Sequence, residues 1–344
     1  MKSILTLSIS LLIITQSFGQ AILAQAKSGD KWGYINKKGE FVIKPQYEKC
    51  NRFTEDGLVA IYEKKRKSFY FIKPNGEELQ TEVEKFKLAS AFGFGTKGFF
   101  EGIVAVQAGK KWGYMNTDGK LIVPAKFDKA REYNSGFAVA KSGSNFFIID
   151  KKGTETKVDI SGLQDVRRFS EGMAPYKAND VWGFINSSGK VVVKAEYKAV
   201  GYMNGGLAWA KNQAGLVGFI NADGKMKIEP KFEGAKDFTC GLAKVKSGGW
   251  SFIDANGNMV TPPAADSYGR YSDDLVYAKK DGKVGFVDKK GSWVVKPTFE
   301  KVRDFNNGLA AVKEGEKWGF VDKSGEWVIK PQFDAVKDFH AAGK

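Results

Sequence analysis

Lys31-Trp32-Gly33-Tyr34-Ile35-Asn36-Lys37-Lys38-Gly39 is the stretch that decides the fold, because it returns at Lys111 to Gly119 and again at Lys317 to Gly325. With its tryptophan as a phase marker, the equivalent positions are Trp32, Phe69, Trp112, Phe146, Trp182, Val217, Trp250, Val284 and Trp318. Successive markers lie 33 to 43 residues apart, and the longest interval spans the glycines from Gly93 to Gly98. A fixed period of this size means stacked supersecondary units. The chain of 344 residues therefore reads as one continuous array of nine units over residues 20–344, with no separate second domain.

Seven residues after each marker stands a glycine: Gly39, Gly76, Gly119, Gly153, Gly189, Gly224, Gly257, Gly291 and Gly325. Such regularity implies a left-handed backbone position that any Cβ would penalise. Three residues earlier comes Asn or Asp, with Lys73 the exception. Asn or Asp opening a turn that closes on Gly is the pattern of a type I turn with a glycine bulge between antiparallel strands. Strand-like residues flank the turn, as in Trp32 to Ile35 and Phe41 to Ile43, and a further strand precedes them, as in Leu309 to Val312. Each unit is expected to be a three-stranded antiparallel meander, ended by Pro45, Pro230, Pro297 or Pro331 where proline cannot donate to a ladder.

The connection between units carries one aromatic just after that proline position, such as Tyr47 or Phe333, and a second near its end. The second series is Phe53, Phe99, Tyr133, Phe169, Tyr202, Phe238, Tyr271, Phe305 and Phe339, and these rings should pin the connection across a neighbouring unit. Both faces of the meander are apolar: Trp318 and Phe320 point one way and Val321 the other, while Leu309 and Ala311 oppose Ala310 and Val312. A sheet that is apolar on both sides must be covered on both sides. The expected fold is all-β, with blades stacked in a propeller-like ring; an open superhelical β-repeat array is the alternative, since nine is an unusual number for a closed ring.

These residues closely resemble the WG-repeat (KWG repeat) family, in which Lys-Trp-Gly-aromatic-Ile-Asp-x-x-Gly is followed by Ile-Lys-Pro-x-Phe-Asp and Phe-x-x-Gly-Leu-Ala. Val328-Ile329-Lys330-Pro331-Gln332-Phe333-Asp334 is among the best matches. The resemblance covers nearly everything after Gln20 and implies a β-rich repeat in bacterial proteins, often exported, with no catalytic or ligand residues to carry over. Units two, four and seven depart most. Phe69 and Phe146 replace Trp, Tyr70 and Phe147 replace Gly, and Pro262-Pro263 stands in unit seven where an aromatic anchor is expected further on. Strain, insertion or specialised binding would account for them.

Met1-Lys2-Ser3, an apolar run from Ile4 to Ile14, and Ser17 and Gly19 read as a secretory signal peptide over residues 1–19 with cleavage before Gln20. The run is too short to span a bilayer comfortably, and no other stretch is apolar enough to cross one. An exported protein is expected, in the periplasm, at the cell surface or secreted. The formal net charge of +15 favours anionic partners, of which nucleic acid is the least available outside the cytoplasm. Cys50 and Cys240 lie far apart in different units, and nothing local brings them to disulfide distance.

The search for chemistry yields little. His340 is the single histidine and reads as a surface residue of the final linker, so zinc chemistry and a Ser/His/Asp relay lack their parts. Gly93-Phe94-Gly95-Thr96-Lys97-Gly98 fits Gly-x-Gly-x-x-Gly, but no helical pattern follows it and a flexible insert explains it. The Asn and Asp of the turns supply one side chain each, which turn chemistry already requires, and not the converging oxygens of a calcium site. No catalytic, cofactor-binding or metal residues are assigned. Anion binding is the one site expectation: Lys64, Lys65, Arg66 and Lys67 form the densest basic run, and Lys37-Lys38, Lys151-Lys152 and Lys289-Lys290 recur at one turn position where they could form a stripe. Solvated lysines that suppress edge pairing are the alternative. The expected function is a non-catalytic scaffold binding a protein or a cell-envelope polymer, with salt-dependent capture of an acidic glycan as the alternative. A glycan-active enzyme using carboxylates in a central funnel comes third.

Overall fold

The computed structural model describes residues 21–88 and 98–343. The expected leader and Gly93 to Lys97 lie outside the described residues. The last unit shows the plan. Lys301–Val302, Ala310–Glu314, Lys317–Val321 and Trp327–Phe333 pair antiparallel in chain order, from an inner strand to an outer one. The last three strands are the expected meander. The inner one is only two residues long and comes from what the sequence presents as a connection, too short to leave a pattern of its own. Among the described residues six sheets have this four-stranded form.

Opposite faces of each blade feed different clusters. Leu309, Ala311 and Phe320 pack with Ala24, Ala26 and Ile35 of the first blade, while Ala310, Val312 and Val321 pack with Leu275 and Phe286 of the eighth. The same holds around the chain, giving nine interblade clusters among the described residues. An open row of nine blades would have eight. The ninth joins the last blade to the first, so the array is a closed ring. Burial of apolar surface on both faces of every blade is the main force holding it.

Backbone pairing completes the closure. The first blade consists of Ile22–Ser28, Lys31–Ile35 and Phe41–Tyr47, and its inner strand is Ala335–Val336 from the other end of the chain. Ala26 pairs with Val336 and Lys27 with Ala335, and His340–Ala341 then pairs with Leu23 and Ile22. In the ninth blade the residues equivalent to His340 and Leu23 are Asn306 and Leu309, joined by a two-residue turn. The seam between the chain ends thus occupies a turn position.

Two kinds of glycine account for the repeat. The nine turn glycines all have φ between +77° and +90°. Asn36 shows the turn itself: its side-chain oxygen accepts from the backbone N–H of Lys38 and Glu40, and Gly39 N–H donates to its carbonyl. The glycine after the tryptophan has a different task. A Cβ on Gly33, Gly113, Gly183, Gly218, Gly285 or Gly319 would sit 2.3 to 2.5 Å from a carbonyl oxygen of the outer strand, which bulges against the third strand there. All six of these blades have a seven-residue outer strand. Tyr70, Phe147 and Ser251 stand at this position in blades two, four and seven. In those blades the outer strand shrinks to the single bridge Ile72 to Glu78, to Glu155–Lys157 and to Met259–Val260.

Two sequence expectations need correction. Proline does not end the outer strand: Pro45 lies inside Phe41–Tyr47, and pairing resumes at Trp32 with Tyr47. The strand is an edge and bulges at that point, so the missing donor faces no partner. In the sixth blade Met203, 1% exposed, fills the buried slot that Tyr202 was expected to fill, and Tyr202 is only half-buried. The chain is offset by one residue there relative to the aromatic pattern.

Candidate functional site

Antiparallel order puts the turn after the inner strand and the turn after the third strand at the same end of each blade. That end is the mouth face of the ring; the turn between the second and third strands is on the far face. Around the mouth, most blades enter their second strand through a two-residue turn with both residues at positive φ, as at Glu101-Gly102, Ser135-Gly136, Glu171-Gly172 and Asn307-Gly308. This is the turn type whose twist matches a tight hairpin. Acidic residues at the turns also clamp the next blade. Glu101 accepts from the N–H groups of Ser135 and Gly136, both at 2.7 Å, and Glu171 from those of Gly205 and Gly206. Asp273 does the same for Gly308.

Just before the buried ring of each connection is a position the sequence reasoning passed over. It holds Arg52, Gly98, Glu132, Arg168, Tyr202, Asp237, Arg270, Asp304 and Asp338 in chain order. Together these residues make a charged girdle. Arg168 lies 3.6 Å from Glu132 and stacks over the Tyr202 ring at 4.4 Å, Asp237 accepts from the Tyr202 N–H, and Arg270 pairs with Asp304 at 3.2 Å. The signal was present in the sequence, since every charge lies one residue before a ring of the second aromatic series. It varies in sign, so it does not read as a repeat.

Burial dominates the electrostatics here. It raises the carboxyl groups of Glu132, Asp237 and Asp304 above their ordinary range, partly offset by the neighbouring arginines. Asp304 has one buried carboxylate oxygen, Oδ1, without a hydrogen-bond partner among the described residues. His340 is not a surface residue of a linker: it lies half-buried in the seam, and burial, with Arg52 and Arg303 nearby, pushes its pKa down to about 4. A cavity of about 470 Å³ opens at the mouth, with Arg52, Glu55, Asp56, Glu101, Asp273 and His340 among its walls. Among the described residues no group of three or more His, Cys, Asp or Glu side chains could hold a metal ion, and no helix is long and apolar enough to cross a membrane. Cys50 and Cys240 are free thiols.

The ten basic residues singled out from sequence are not brought together. Lys64, Lys65, Arg66 and Lys67 form the turn between Val59–Glu63 and Ser68–Ile72 on the far face, where Arg66 is held by Glu63 and Glu78. Lys37, Lys38, Lys151, Lys152, Lys289 and Lys290 are on the mouth face, exposed, in blades one, four and eight. Lys37 donates to the Asn307 carbonyl at 2.6 Å, Lys151 pairs with Glu101 at 3.3 Å and Lys289 with Asp274 at 2.7 Å. The first lysine of each pair is thus engaged with the mouth turns, and Lys38 and Lys290 remain in solvent without a side-chain partner among the described residues.

The WG containing repeat matches seven segments: residues 32–67, 112–146, 182–214, 218–249, 250–283, 285–318 and 318–343. The chain belongs to the WG-containing-repeat family. No curated protein matches it by sequence. Among solved structures this WG-repeat chain is similar to a crystal structure of the eukaryotic initiation factor, with a TM-score of 0.64 at 13% identity, covering 94% of this chain and 98% of that one. A TM-score of 0.44 relates it to AztD of Citrobacter koseri, at 11% identity over 95% of this chain and 100% of that one. BamB from Moraxella catarrhalis gives 0.41 at 10% identity, over 80% and 90%. At 13% identity the first of these likenesses concerns the fold alone. A WG-repeat β scaffold is what fold and family together establish.

Proposed function

We propose that this chain is an exported, non-catalytic scaffold that binds a protein or an anionic polymer of the cell envelope through the loops of its mouth face. One observation carries the reading. Residues that recur in every blade are consumed by turns, bulges and interblade packing, while those that change from blade to blade, such as Arg52, Glu101, Asp273 and Asn307, line one cavity. Export rests on the charged start, apolar run and small residues of the first nineteen positions. The net charge of +15 supports an anionic partner.

A photo-reactive residue placed at Ser135 or Asn307 on the mouth, or at Val192 on the exposed outer edge, tests this in the native envelope. Attachment of one defined partner from the mouth positions and not from Val192 is expected. Attachment from the edge alone, or turnover of hydrolase substrates by the purified chain that substitutions at the mouth remove, overturns it.

A further inference from the structure

We propose that the outer end of the cleft between the seventh and eighth blades binds an acidic sugar residue of a polysaccharide, with tryptophan as the platform and lysines as the anion clamp. Three departures in the seventh blade open this cleft. Ser251 replaces the glycine that lets an outer strand close, Pro262-Pro263 follows the two-residue strand Met259–Val260, and Ala265 stands where the eighth and ninth blades place Phe299 and Phe333. Where Trp327 of the ninth blade meets the Phe299 ring at 6.2 Å, half-buried Trp293 shares its cluster with Ala265. Beside it a cavity of about 440 Å³ is lined, from the eighth blade, by Lys280, Lys283, Trp293, Lys296 and Pro297, with Asp281 as its carboxylate.

The seventh blade presents a second ring to the same interface. Trp250 pairs across from Lys246 and shares a face with Lys244, whose ammonium reaches the Tyr268 carbonyl of the eighth blade at 2.6 Å. Trp250 is 41% exposed, and Lys244 stands 5.3 Å from its ring centroid. Among the described residues Lys280, Lys283 and Lys296 have no ion pair or side-chain hydrogen bond, and all three are exposed. An uncovered tryptophan face suits the apolar face of a sugar ring, and unpaired ammonium groups suit a carboxylate or phosphate carried on it. The preference for glycan over nucleic acid rests on the proposed export; the cleft itself does not.

The test uses the purified full chain with oligogalacturonate as the carboxylate probe, a phosphate-bearing polysaccharide, uncharged cello-oligosaccharide and oligo-dT. One of the two acidic glycans is expected to quench tryptophan fluorescence, to bind at least tenfold more tightly than the neutral sugar, and to lose affinity as salt rises. It should also protect Lys280, Lys283 and Lys296 from acylation read by mass spectrometry. Whichever acidic glycan responds identifies the anionic group. Lys283→Ala with Lys296→Ala should lower affinity tenfold or more. Ser251→Gly with Ala265→Phe should rebuild the outer strand, fill the cleft and abolish binding while the melting temperature is kept. Equal affinity for the neutral sugar, tighter binding of oligo-dT, a response to neither acidic glycan, or unchanged binding by the filled variant each overturns the proposal. A change at Asn307 should leave this binding intact, which separates it from the mouth-face reading.

Discussion

Gly183→Ala isolates the physical reason for the Trp-Gly pair. Gly183 has an ordinary negative φ, so left-handed strain is not involved. A Cβ there would sit 2.3 Å from the Val193 carbonyl oxygen and 2.8 Å from the Ala195 nitrogen. Ordinary contact needs about 1 Å more, so the outer strand Val191–Tyr197 must back away from its neighbour. That movement strains the pairing of Trp182 with Tyr197 and lifts Val193 and Tyr197, now 5% and 8% exposed, from the cluster shared with the sixth blade. Overpacking costs about 1–3 kcal/mol, and partial loss of the two side chains' burial adds roughly 1 kcal/mol. A total near 3 kcal/mol, spread over the unfolding entropy of a ring this size, lowers the melting temperature by about 4 °C. Gly172→Ala is the control: φ is +77° and nothing lies within 4 Å, so only the backbone penalty of about 1 kcal/mol applies. Calorimetric melting of both variants decides. If Gly183→Ala melts within 1 °C of the parent, or falls less than Gly172→Ala, the carbonyl approach is not why glycine is there.

Removal of residues 335–343 strips the first blade of its inner strand and takes Val336 and Phe339 from the closing cluster, so rapid proteolysis and loss of a cooperative melt are expected. His340 gives a pH dependence of definite sign. Its folded pKa of about 4 lies below its ordinary 6.5, so its contribution is complete above pH 6.5 and is lost as pH falls toward 4. The raised carboxyls of Glu132, Asp237 and Asp304 act oppositely, their penalty easing in acid, but they are common to parent and variant. His340→Asn should therefore lose less melting temperature between pH 7 and pH 4 than the parent does. Glu171→Ala frees the N–H groups of Gly205 and Gly206 at an exposed turn, for a loss of about 1 kcal/mol in denaturant unfolding.

Much of the blade was legible because its residues answer to local demands. Gly39 and its eight counterparts, the Asn or Asp before them, and the alternation of Leu309 to Val312 are each explained within a few residues of chain, and the structure bears them out. Inner strands such as Lys301–Val302 were not legible, since two residues carry no period and their pairing depends on a blade already built. Closure was open for a similar reason: Val336 finds Ala26 across more than three hundred residues, and no local feature of either announces it. The girdle was hidden by its variability. Arg52, Glu132 and Tyr202 share a position but no chemistry, and repeat reading discards what does not recur. The basic residues divide between two faces because turn position alone does not say which face a turn is on: Lys64 to Lys67 belong to the opposite side from Lys37, Lys151 and Lys289.

The seam also orders assembly in time. Strand Ile22–Ser28 is the first of the ring to be synthesised, and its missing neighbour Ala335–Val336 is almost the last. Until then the first blade has a bare inner edge and the ninth an uncovered apolar face, and the search that joins them closes the longest loop the chain contains. At high concentration the same edge can accept the tail of a second copy before its own arrives. Dilute refolding should give closed monomers, and crowded refolding interlocked pairs that separate only on unfolding.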